Sequence, residues 1–525
     1  MSRLFRAAGS ISAITLLSRI LGLLRDSLMM QMLGARWVQG VFLLAWTLPN
    51  LMRRLLGEGA LSASLVPAYA KLRRHDVPAS RRLLDDVFRA LLTILTPLCA
   101  LVASFSLLAP AEWFPAPDAG GIESIRLLLS LNAVLFVYAL PVCLSAVGAG
   151  ALNTLGSFAL PASIPVALNI IWIAALVAAK PLGFTVDTEI ATLVSWSLMV
   201  GGFVQLLMVT VPLWRRGELS RPRFALPRRN TAAFGVFVAM GPTLLGMSLN
   251  QVSSLLDQVL AFALIAPGAN SYVYLANRLL LFPHALTAMS VGVAVFPRLA
   301  SEAEGPSAAG GNQKLRRTLD GAAAATILVT LPAAGGLILL AGEIVSVLFE
   351  GGEFLASDVT PTVHTTACLV IGLPFLGLAQ LYARAFYAVG DTATPARLAI
   401  RLVPINLLLS LTMLLTTSLG TAALTLSSSI TSMANAALLA RRFRQHAPAM
   451  QGRAMQSAWL RSAVATAVMC AVVPLCGIAE PGDTRLARAF GNLALPIAAG
   501  MGAYLLTHVL LRSPELRALA RRGRK

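Results

Sequence analysis

Long apolar stretches recur from near the start of this sequence to near its end. A helix needs about 20 apolar residues to cross the hydrocarbon core of a bilayer, and each stretch reaches that length before a short polar or Gly/Pro-containing break. Of the 525 residues, 57% are hydrophobic and 12% are charged, which is more apolar than a soluble protein of this size can bury. The sequence therefore predicts an all-α polytopic membrane protein with about 14 transmembrane helices.

The predicted spans are continuous apolar runs, whereas strands of a membrane β-barrel are about ten residues long and alternate in polarity. Helices also satisfy their own backbone hydrogen bonds in lipid. The first run continues past the length of a signal peptide and contains Arg19 and Arg25, so we expect a retained first helix. The spans are predicted at residues 8–32, 38–66, 87–108, 124–153, 158–180, 189–212, 232–263, 271–296, 318–341, 362–388, 394–416, 418–441, 460–479 and 486–512.

The basic residues follow the pattern of a membrane-inserted chain. A formal net charge of +19 would suggest nucleic acid as the partner of a soluble protein, but here the cations collect in alternate loops and at the C-terminus. The positive-inside rule places both termini in the cytoplasm, and the expected partners are membrane lipids rather than nucleic acid. The cations that define this side are Lys71, Arg73, Arg74, Arg81, Arg82, Arg215, Arg216, Arg221, Arg223, Arg228, Arg229, Arg441, Arg442, Arg444, Arg453, Arg517, Arg521, Arg522, Arg524 and Lys525.

Neither the cysteines nor the loops indicate an enzyme or a metal site. The five cysteines show no CxxC or Cys/His spacing, and we expect them to pack among helices. The loops contain no nucleotide P-loop, no HExxH motif and no carboxylate cluster suited to metal-assisted transfer. We predict a non-enzymatic protein without catalytic residues, metal or cofactor.

Two pairs of segments echo each other in sequence. Residues 151–156, followed by Pro161, match residues 385–390, followed by Pro395, and the surroundings of Arg53 recur around Arg278. Because six spans separate the members of each pair, we predict two parallel six-helix lobes, an arrangement typical of transporters. The predicted domains are an N-terminal lobe at 1–213 (helices 1–6), a cytoplasmic inter-lobe linker at 214–230, a C-terminal lobe at 231–445 (helices 7–12), and two extra helices with a basic tail at 446–525.

Arginines interrupt several of the predicted spans. An ionised side chain at bilayer depth costs roughly 2.5 to 3.5 kcal/mol on insertion scales, so several retained charges are expected to face a hydrated cavity and to serve a function. Guanidinium groups pair bidentately with phosphate, which makes a lipid-borne or soluble phosphate the ligand that this pattern favours. The arginines concerned are Arg19, Arg25, Arg53, Arg54, Arg278, Arg384, Arg397 and Arg401.

The first span places Arg19 and Arg25 about 9 Å apart along a helix axis, close enough to address one extended anion. Two alternatives stay open from the residues alone. Arg19 pairs with an acidic residue elsewhere, or Arg25 reaches the membrane interface with Asp26 as its partner.

The second span carries a polar patch that begins at Pro49, a residue that bends helices. Asn50, Arg53 and Arg54 follow it, and Glu58 lies four residues beyond Arg54. An ion pair between Arg54 and Glu58 would leave Arg53 for a ligand. The alternative is a purely structural ion pair at a broken helix.

Polar residues also gather in the seventh and eighth spans. Ser271, Asn277 and Arg278 lie in the eighth, and Asp257 is an isolated carboxylate in the seventh. A buried carboxylate of this kind binds a monovalent cation or carries a proton, which makes Asp257 the candidate for ion coupling. Pairing with Arg278 is the alternative.

The residues of these spans resemble the signature of the MurJ (MviN) lipid II flippases, a family of the multidrug/oligosaccharidyl-lipid/polysaccharide exporter superfamily. The resemblance extends over almost the whole chain. It rests on residues 18–26, 48–55 and 58–60 in the first half, and on residues 276–279, 282–283, 384–388, 390–392 and Pro395 in the second.

The resemblance implies a bacterial inner-membrane protein that moves lipid II, the undecaprenyl-diphosphate-linked disaccharide pentapeptide of peptidoglycan, from the cytoplasmic to the outer leaflet. It also implies a V-shaped cationic cavity between two lobes, and a groove for the lipid tail formed by two extra C-terminal helices. By position, the diphosphate would be held by Arg19, Arg25, Arg53 and Arg278. The expected polar or gating residues of the cavity are Asp26, Asn50, Arg54, Glu58, Ser271 and Asn277, with Asp257 as the residue that couples a monovalent cation.

Three positions depart from the family pattern. Gly40 stands where an acidic residue is common, Asn277 where Asp often precedes the arginine, and Leu281 where Glu is common. Fewer carboxylates leave more positive potential near the arginines. They also remove the acid that a gating salt bridge would need at these positions.

Three other functions stay open from the sequence. The first is export of another polyprenyl-diphosphate-linked glycan, which needs the same grip on phosphate. The second is a cation-coupled drug exporter, although cationic drugs call for acidic or aromatic walls rather than arginines. The third is a scaffold within the machinery of wall synthesis.

Overall fold

A computed structural model of the chain describes residues 2–55, 60–115, 120–220, 223–287, 293–303, 309–445, 453–477, 484–514 and 516. Within these ranges the regular structure is helical, and a lone bridge between Gly351 and Phe354 is the only strand-like pairing. Ten of the described helical segments are long and apolar enough to cross a membrane. The predicted all-α membrane fold is confirmed, and the count of fourteen spans stays a prediction.

The first of two compact units comprises Met1–Ser271 and Gly351–Phe354. Its helices are α1 (Ser2–Leu33), α2 (Trp37–Met52), α3 (Ala60–His75), α4 (Val77–Leu108), α5 (Gly121–Val137), α6 (Ala139–Thr154), α7 (Ala159–Ala179), α8 (Asp187–Arg215) and α9 (Ala232–Leu260). Helix α7 packs against both α1 and α8, and α2 packs against α5. Between these helices lies an aromatic cluster in which the rings of Phe42 and Trp46 approach Trp172 to 5.6 and 5.4 Å.

The predicted second span is divided between two helices. Helix α2 ends at Met52, close after Pro49, and α3 begins at Ala60. Proline lacks a backbone donor and crowds the preceding turn, which weakens the helix where the polar patch lies. Glu58 falls in the interval between the helices and lies outside the described residues, so its pairing with Arg54 stays a prediction.

Two turns hold the connection between α1 and α2 within the first unit. The N–H of Glu353 donates to the carbonyl oxygen of Gln31 at 2.8 Å, and the Glu353 carboxylate pairs with Arg36 at 2.6 Å. In addition, Nδ2 of Asn270 donates to the carbonyl oxygen of Gly40 at 2.9 Å. We call this assembly the turn clamp; it comprises residues 31–40, 266–270 and 351–354.

Glycines let the backbones of the turn clamp approach each other. Gly268 has φ +111, and a Cβ atom there would lie 2.5 Å from the carbonyl oxygen of Ala35. Gly34 has φ +62, and its Cβ would lie 2.5 Å from the carbonyl oxygen of Glu353. Both the backbone conformation and the close approach therefore require glycine.

The second unit comprises Tyr272–Glu350 and Leu355–Lys525. Its helices are α10 (Asn270–Thr287), which begins at the end of the first unit, α11 (Val293–Ala303), α12 (Ala309–Phe349), α13 (Ala356–Val370), α14 (Leu373–Ala388), α15 (Ala393–Thr416), α16 (Thr421–Phe443), α17 (Arg453–Val472), α18 (Arg485–Arg488) and α19 (Leu495–Leu510). Its core includes Phe386 and Phe443, whose rings meet edge to face at 5.1 Å. Near the C-terminus, Oη of Tyr504 in α19 donates to the Leu328 carbonyl oxygen of α12 at 2.7 Å.

The segments that echo each other in sequence end in the same kind of helix cap. Gly156 after α6 and Gly390 after α14 have φ +79 and +81. One residue later in each segment, a backbone N–H donates to a helix carbonyl oxygen at 2.9 Å, a cap that favours glycine. The echo thus has a matching local geometry, while the predicted lobe boundaries stay predictions.

Candidate functional site

Arg25 lies in α1, in the interior of the first unit, with 8% of its surface exposed. Its Nε and Nη2 donate to Oδ1 of Asp26 at 2.9 and 2.6 Å. Its Nη1 donates to Oδ1 of Asn169 at 3.0 Å. The pairing with Asp26 that the sequence left open is therefore present, and the ion pair offsets part of the cost of burying the guanidinium.

Two residues of α7, neither of them predicted from the sequence, contact the Arg25 side chain. Asn169 also donates from Nδ2 to the Ser18 carbonyl oxygen at 3.0 Å, which ties α7 to α1. The guanidinium carbon of Arg25 lies 4.2 Å from the ring centroid of Trp172, a cation–π geometry. Asn169 is polar within an apolar span and lies three residues before Trp172. That helical spacing was the available sequence signal.

Arg19 is half-buried in α1 and differs from Arg25 in its surroundings. Across the part of the chain that the structure describes, its side chain has no hydrogen-bond or ion-pair partner. No described carboxylate therefore pairs with Arg19, as the first alternative required. A half-buried guanidinium in this situation retains its donors for an anion.

Arg53 and Arg54 follow the end of α2 and are half-buried. Nε and Nη2 of Arg53 donate to Oδ1 of Asn50 at 3.1 and 2.9 Å. Nη1 of Arg54 donates to Oε1 of Gln251 in α9 at 3.0 Å. These amides orient the guanidinium groups, and the binding of an anion there stays a prediction.

The remaining candidates lie around the start of α10 and the end of α9. Arg278 is half-buried in the second unit, and Nδ2 of Asn277 donates to the Val273 carbonyl oxygen of its own helix at 2.9 Å. Ser271 is fully buried in the first unit, and its hydroxyl oxygen has no partner among the described residues. Asp257 is 7% exposed. Its ion-coupling role stays a prediction.

The structure explains one departure from the family pattern. A Cβ atom at Gly40 would lie 2.5 Å from the backbone nitrogen of Gly268 and 2.7 Å from Oδ1 of Asn270. No acidic side chain fits at this position while the turn clamp is closed. Leu281, at another departure, is 43% exposed.

Metal ligands are not assembled in the described ranges, where no group of three or more His, Cys, Asp or Glu side chains is placed to hold an ion. The chemistry that the candidate residues share is instead that of guanidinium donors. Arg25 is held in place by charge, amide and ring contacts, and Arg53 and Arg54 are oriented by amides. Such donors recognise phosphate oxygens through directed hydrogen bonds.

Known proteins resemble this chain over most of its length. The lipid II flippase MurJ of Burkholderia cenocepacia is 32% identical over 448 residues, which cover 83% of this chain and 83% of the relative. Among solved structures, a lipid II flippase MurJ in an inward closed conformation has the same fold, with a TM-score of 0.75 and 22% identity over 96% of this chain and 98% of its own. An inward-facing multidrug resistance MATE family transporter of the MOP superfamily has a TM-score of 0.61 and 16% identity over 84% of this chain and 98% of its own. The profile of the lipid II flippase MurJ family matches residues 29–480, and the chain belongs to that family.

Proposed function

We propose that this protein is a flippase that moves lipid II from the inner to the outer leaflet of the bacterial cytoplasmic membrane by alternating access. The observation that carries the proposal is family membership over most of the chain. It is supported by arginines that the fold buries or half-buries within apolar helices. Transport of this kind makes and breaks no covalent bond, so the protein is not an enzyme.

The diphosphate of lipid II is bound by Arg19, Arg25, Arg53 and Arg278 in this proposal. Arg19 supports it best, because no described residue occupies its donors. Arg25 is oriented in advance by Asp26, Asn169 and Trp172. The sugar and peptide occupy the hydrated space beside these arginines, and the prenyl tail stays in lipid. Polar or gating roles fall to Asp26, Asn50, Arg54, Glu58, Ser271 and Asn277, and coupling to a monovalent cation falls to Asp257.

The proposed orientation places both termini in the cytoplasm. It follows from the distribution of Lys and Arg among the loops. Two six-helix lobes, at 1–213 and 231–445, rock against each other about the linker at 214–230. The helices within 446–525 accommodate the lipid tail.

The decisive experiment measures the leaflet accessibility of lipid II in cells that depend on a single copy of this gene. Arg19→Ala and Arg278→Ala should insert at normal levels but leave lipid II in the inner leaflet and fail to support growth. Arg401→Ala is the matched control, since Arg401 also lies in a spanning helix but is exposed, and it should behave as the unchanged protein.

Other outcomes identify other functions. Normal lipid II accessibility together with accumulation of a different lipid-linked glycan on depletion would assign a different substrate. Normal growth of both alanine variants would contradict phosphate binding by these arginines and favour a scaffold.

A further inference from the structure

The segment that follows α8 is fastened to the first unit by a buried carboxylate. Glu218 is 2% exposed and accepts hydrogen bonds from Oη of Tyr69 at 3.1 Å, Nη1 of Arg73 at 2.9 Å and Nη2 of Arg81 at 3.4 Å. Burial and the neighbouring carboxylate raise the pKa of Tyr69, so its hydroxyl stays protonated and remains a donor. We call the described residues 217–220 and 223–230 the strap.

Further along, the strap is attached to α4. The backbone N–H of Ser220 donates to Oδ1 of Asp85 at 2.8 Å, and Nη2 of Arg89 donates to Oγ of Ser220 at 2.7 Å. The N–H of Ala225 donates to Oγ1 of Thr93 at 2.8 Å. The strap therefore has a defined course along one helix.

This course brings the strap to the apolar part of α4. Arg89 is the last charged residue of that helix. Thr93 lies one turn further, about 6 Å along the helix axis, and Ile94 beside it is 46% exposed. The Ala225 backbone is thus held at the point where the charged part of α4 ends and its apolar part begins.

The side chains that the strap presents are of two kinds. Phe224 is 67% exposed and Leu226 is 62% exposed. Arg223, Arg228 and Arg229 flank them and are also exposed. Large apolar side chains between arginines are typical of segments that lie in the headgroup region of a membrane, where both kinds of group find a partner.

The charge around the strap calls for an anion. The two carboxylates nearest its attachments, Glu218 and Asp85, already accept hydrogen bonds from the strap or from the helices that hold it. The exposed arginines of the strap are joined by Arg82 and Arg216, which are exposed as well. A surplus of cations beside apolar side chains fits an anionic lipid better than a free anion, which offers nothing to Phe224 and Leu226.

We propose that the strap is an interfacial anchor that binds anionic phospholipids. Phe224 and Leu226 enter the acyl region, and Arg223, Arg228 and Arg229 contact the lipid phosphates. Anchoring holds the strap at the surface of the leaflet beside α4. The inference rests on contacts within the first unit and does not depend on what the protein transports.

The test uses the full-length protein in liposomes that contain a photoactivatable phosphatidylglycerol or, at equal mole fraction, a photoactivatable phosphatidylcholine. Peptide analysis after illumination should find residues 223–229 labelled preferentially by the anionic probe. The triple variant Arg223→Gln, Arg228→Gln, Arg229→Gln should reduce that labelling by about a hundredfold, because each arginine contributes about 1 kcal/mol of attraction to an anionic surface. The matched control Arg441→Gln, Arg442→Gln, Arg444→Gln removes three exposed arginines elsewhere and should leave the labelling of the strap unchanged.

A second pair of substitutions keeps the test independent of whether the triple variant folds. Phe224→Ser with Leu226→Ser should shift labelling from a probe in the acyl chain to one in the headgroup. Equal labelling by both lipids, or equal loss in the control triple, would overturn the proposal. Loss of labelling in millimolar inorganic phosphate would mean that the arginines bind a free anion. Absence of any labelling would favour an acidic protein segment as the partner of this surface. Either result would also overturn the proposal.

Discussion

At the scale of single residues, the neighbours of Arg25 show how the fold holds a buried charge in one position. Asp26 supplies the counter-charge, and Trp172 supplies a ring face at 4.2 Å. The ring cannot neutralise the guanidinium, but it restricts its position and excludes water from one face. Arg25 is therefore oriented by a counter-charge, an amide and a ring, and its binding of the diphosphate stays a prediction.

Trp172→Leu should lower the free energy of unfolding by about 3 kcal/mol, because it removes both the cation–π contact and a buried ring. Trp196→Leu is the control, since Trp196 is 50% exposed and should unfold nearly as the unchanged protein does. The measurement is thermal unfolding of the purified proteins in detergent. Equal shifts for the two variants would contradict a stabilising role for Trp172 in the core that it forms with Phe42, Trp46 and Arg25.

Gly40 gives a second prediction at this scale. In a helix, Gly→Ala ordinarily stabilises by about 0.5–1 kcal/mol, and Gly235→Ala should do so because no atom lies within 4 Å of the added methyl group. Gly40→Ala should instead destabilise by about 1–3 kcal/mol, since the methyl group meets the Gly268 backbone. Changes of the same sign in both variants, measured by thermal unfolding, would contradict the closed turn clamp.

At the scale of elements, the turn clamp depends on backbone contacts more than on its ion pair. The side chains of Arg36 and Glu353 are 52% and 43% exposed, and such pairs contribute about 0.2–1 kcal/mol. Water can replace an exposed ion pair more easily than it can replace the hydrogen bond from the Glu353 N–H or the tight packing of Gly352 against Gln31. The clamp should tolerate loss of the charges better than added bulk.

Gly352→Ala and Gly183→Ala form a matched pair for this expectation. Both glycines have positive φ, +58 and +89, so alanine strains either backbone by about 1–2 kcal/mol. Only at Gly352 does the methyl group also overlap a carbonyl oxygen, that of Gln31, which should add about 1–3 kcal/mol. Thermal unfolding measures the difference, and Glu353→Ala should lie below both. Equal losses for the two glycine variants would mean that the turn 351–354 does not rest on α1.

Elements were largely predictable from the sequence, and contacts between them were not. Apolar runs of sufficient length indicate helices, and the segments that echo each other in sequence, ending at Gly156 and Gly390, have helix caps of the same geometry. By contrast, Glu218 is one acid among many arginines in the linker, and nothing local indicates that it is buried. The same holds for Gly268 and Gly40, whose requirement for glycine arises from a chain segment more than two hundred residues away.

At the scale of the whole molecule, the positive charge divides into two populations. Most of the net charge of +19 belongs to loops, where cations determine orientation during insertion. A few arginines lie within apolar helices. There each charge has a high free-energy cost and does not help to orient the protein in the membrane. The fold places members of the second population beside a helix break and against polar partners, and their binding of phosphate stays a prediction.

The proposed transport also has a consequence for the whole molecule in a polarised membrane. A potential that is negative inside favours outward movement of an anion by about 2.3 kcal/mol per net charge per 100 mV, which corresponds to about fiftyfold in distribution. In proteoliposomes that contain lipid II and a potassium diffusion potential, lipid II should therefore collect in the leaflet on the positive side, and reversing the potential should reverse the distribution. Liposomes with Arg278→Ala should show neither effect. A dependence on potential weaker than the charge of the diphosphate requires, with transport intact, would mean that a monovalent cation travels with it. Asp257→Asn, which removes the candidate coupling carboxylate, should then restore the full dependence. Equal distributions at both polarities would contradict transport of net negative charge.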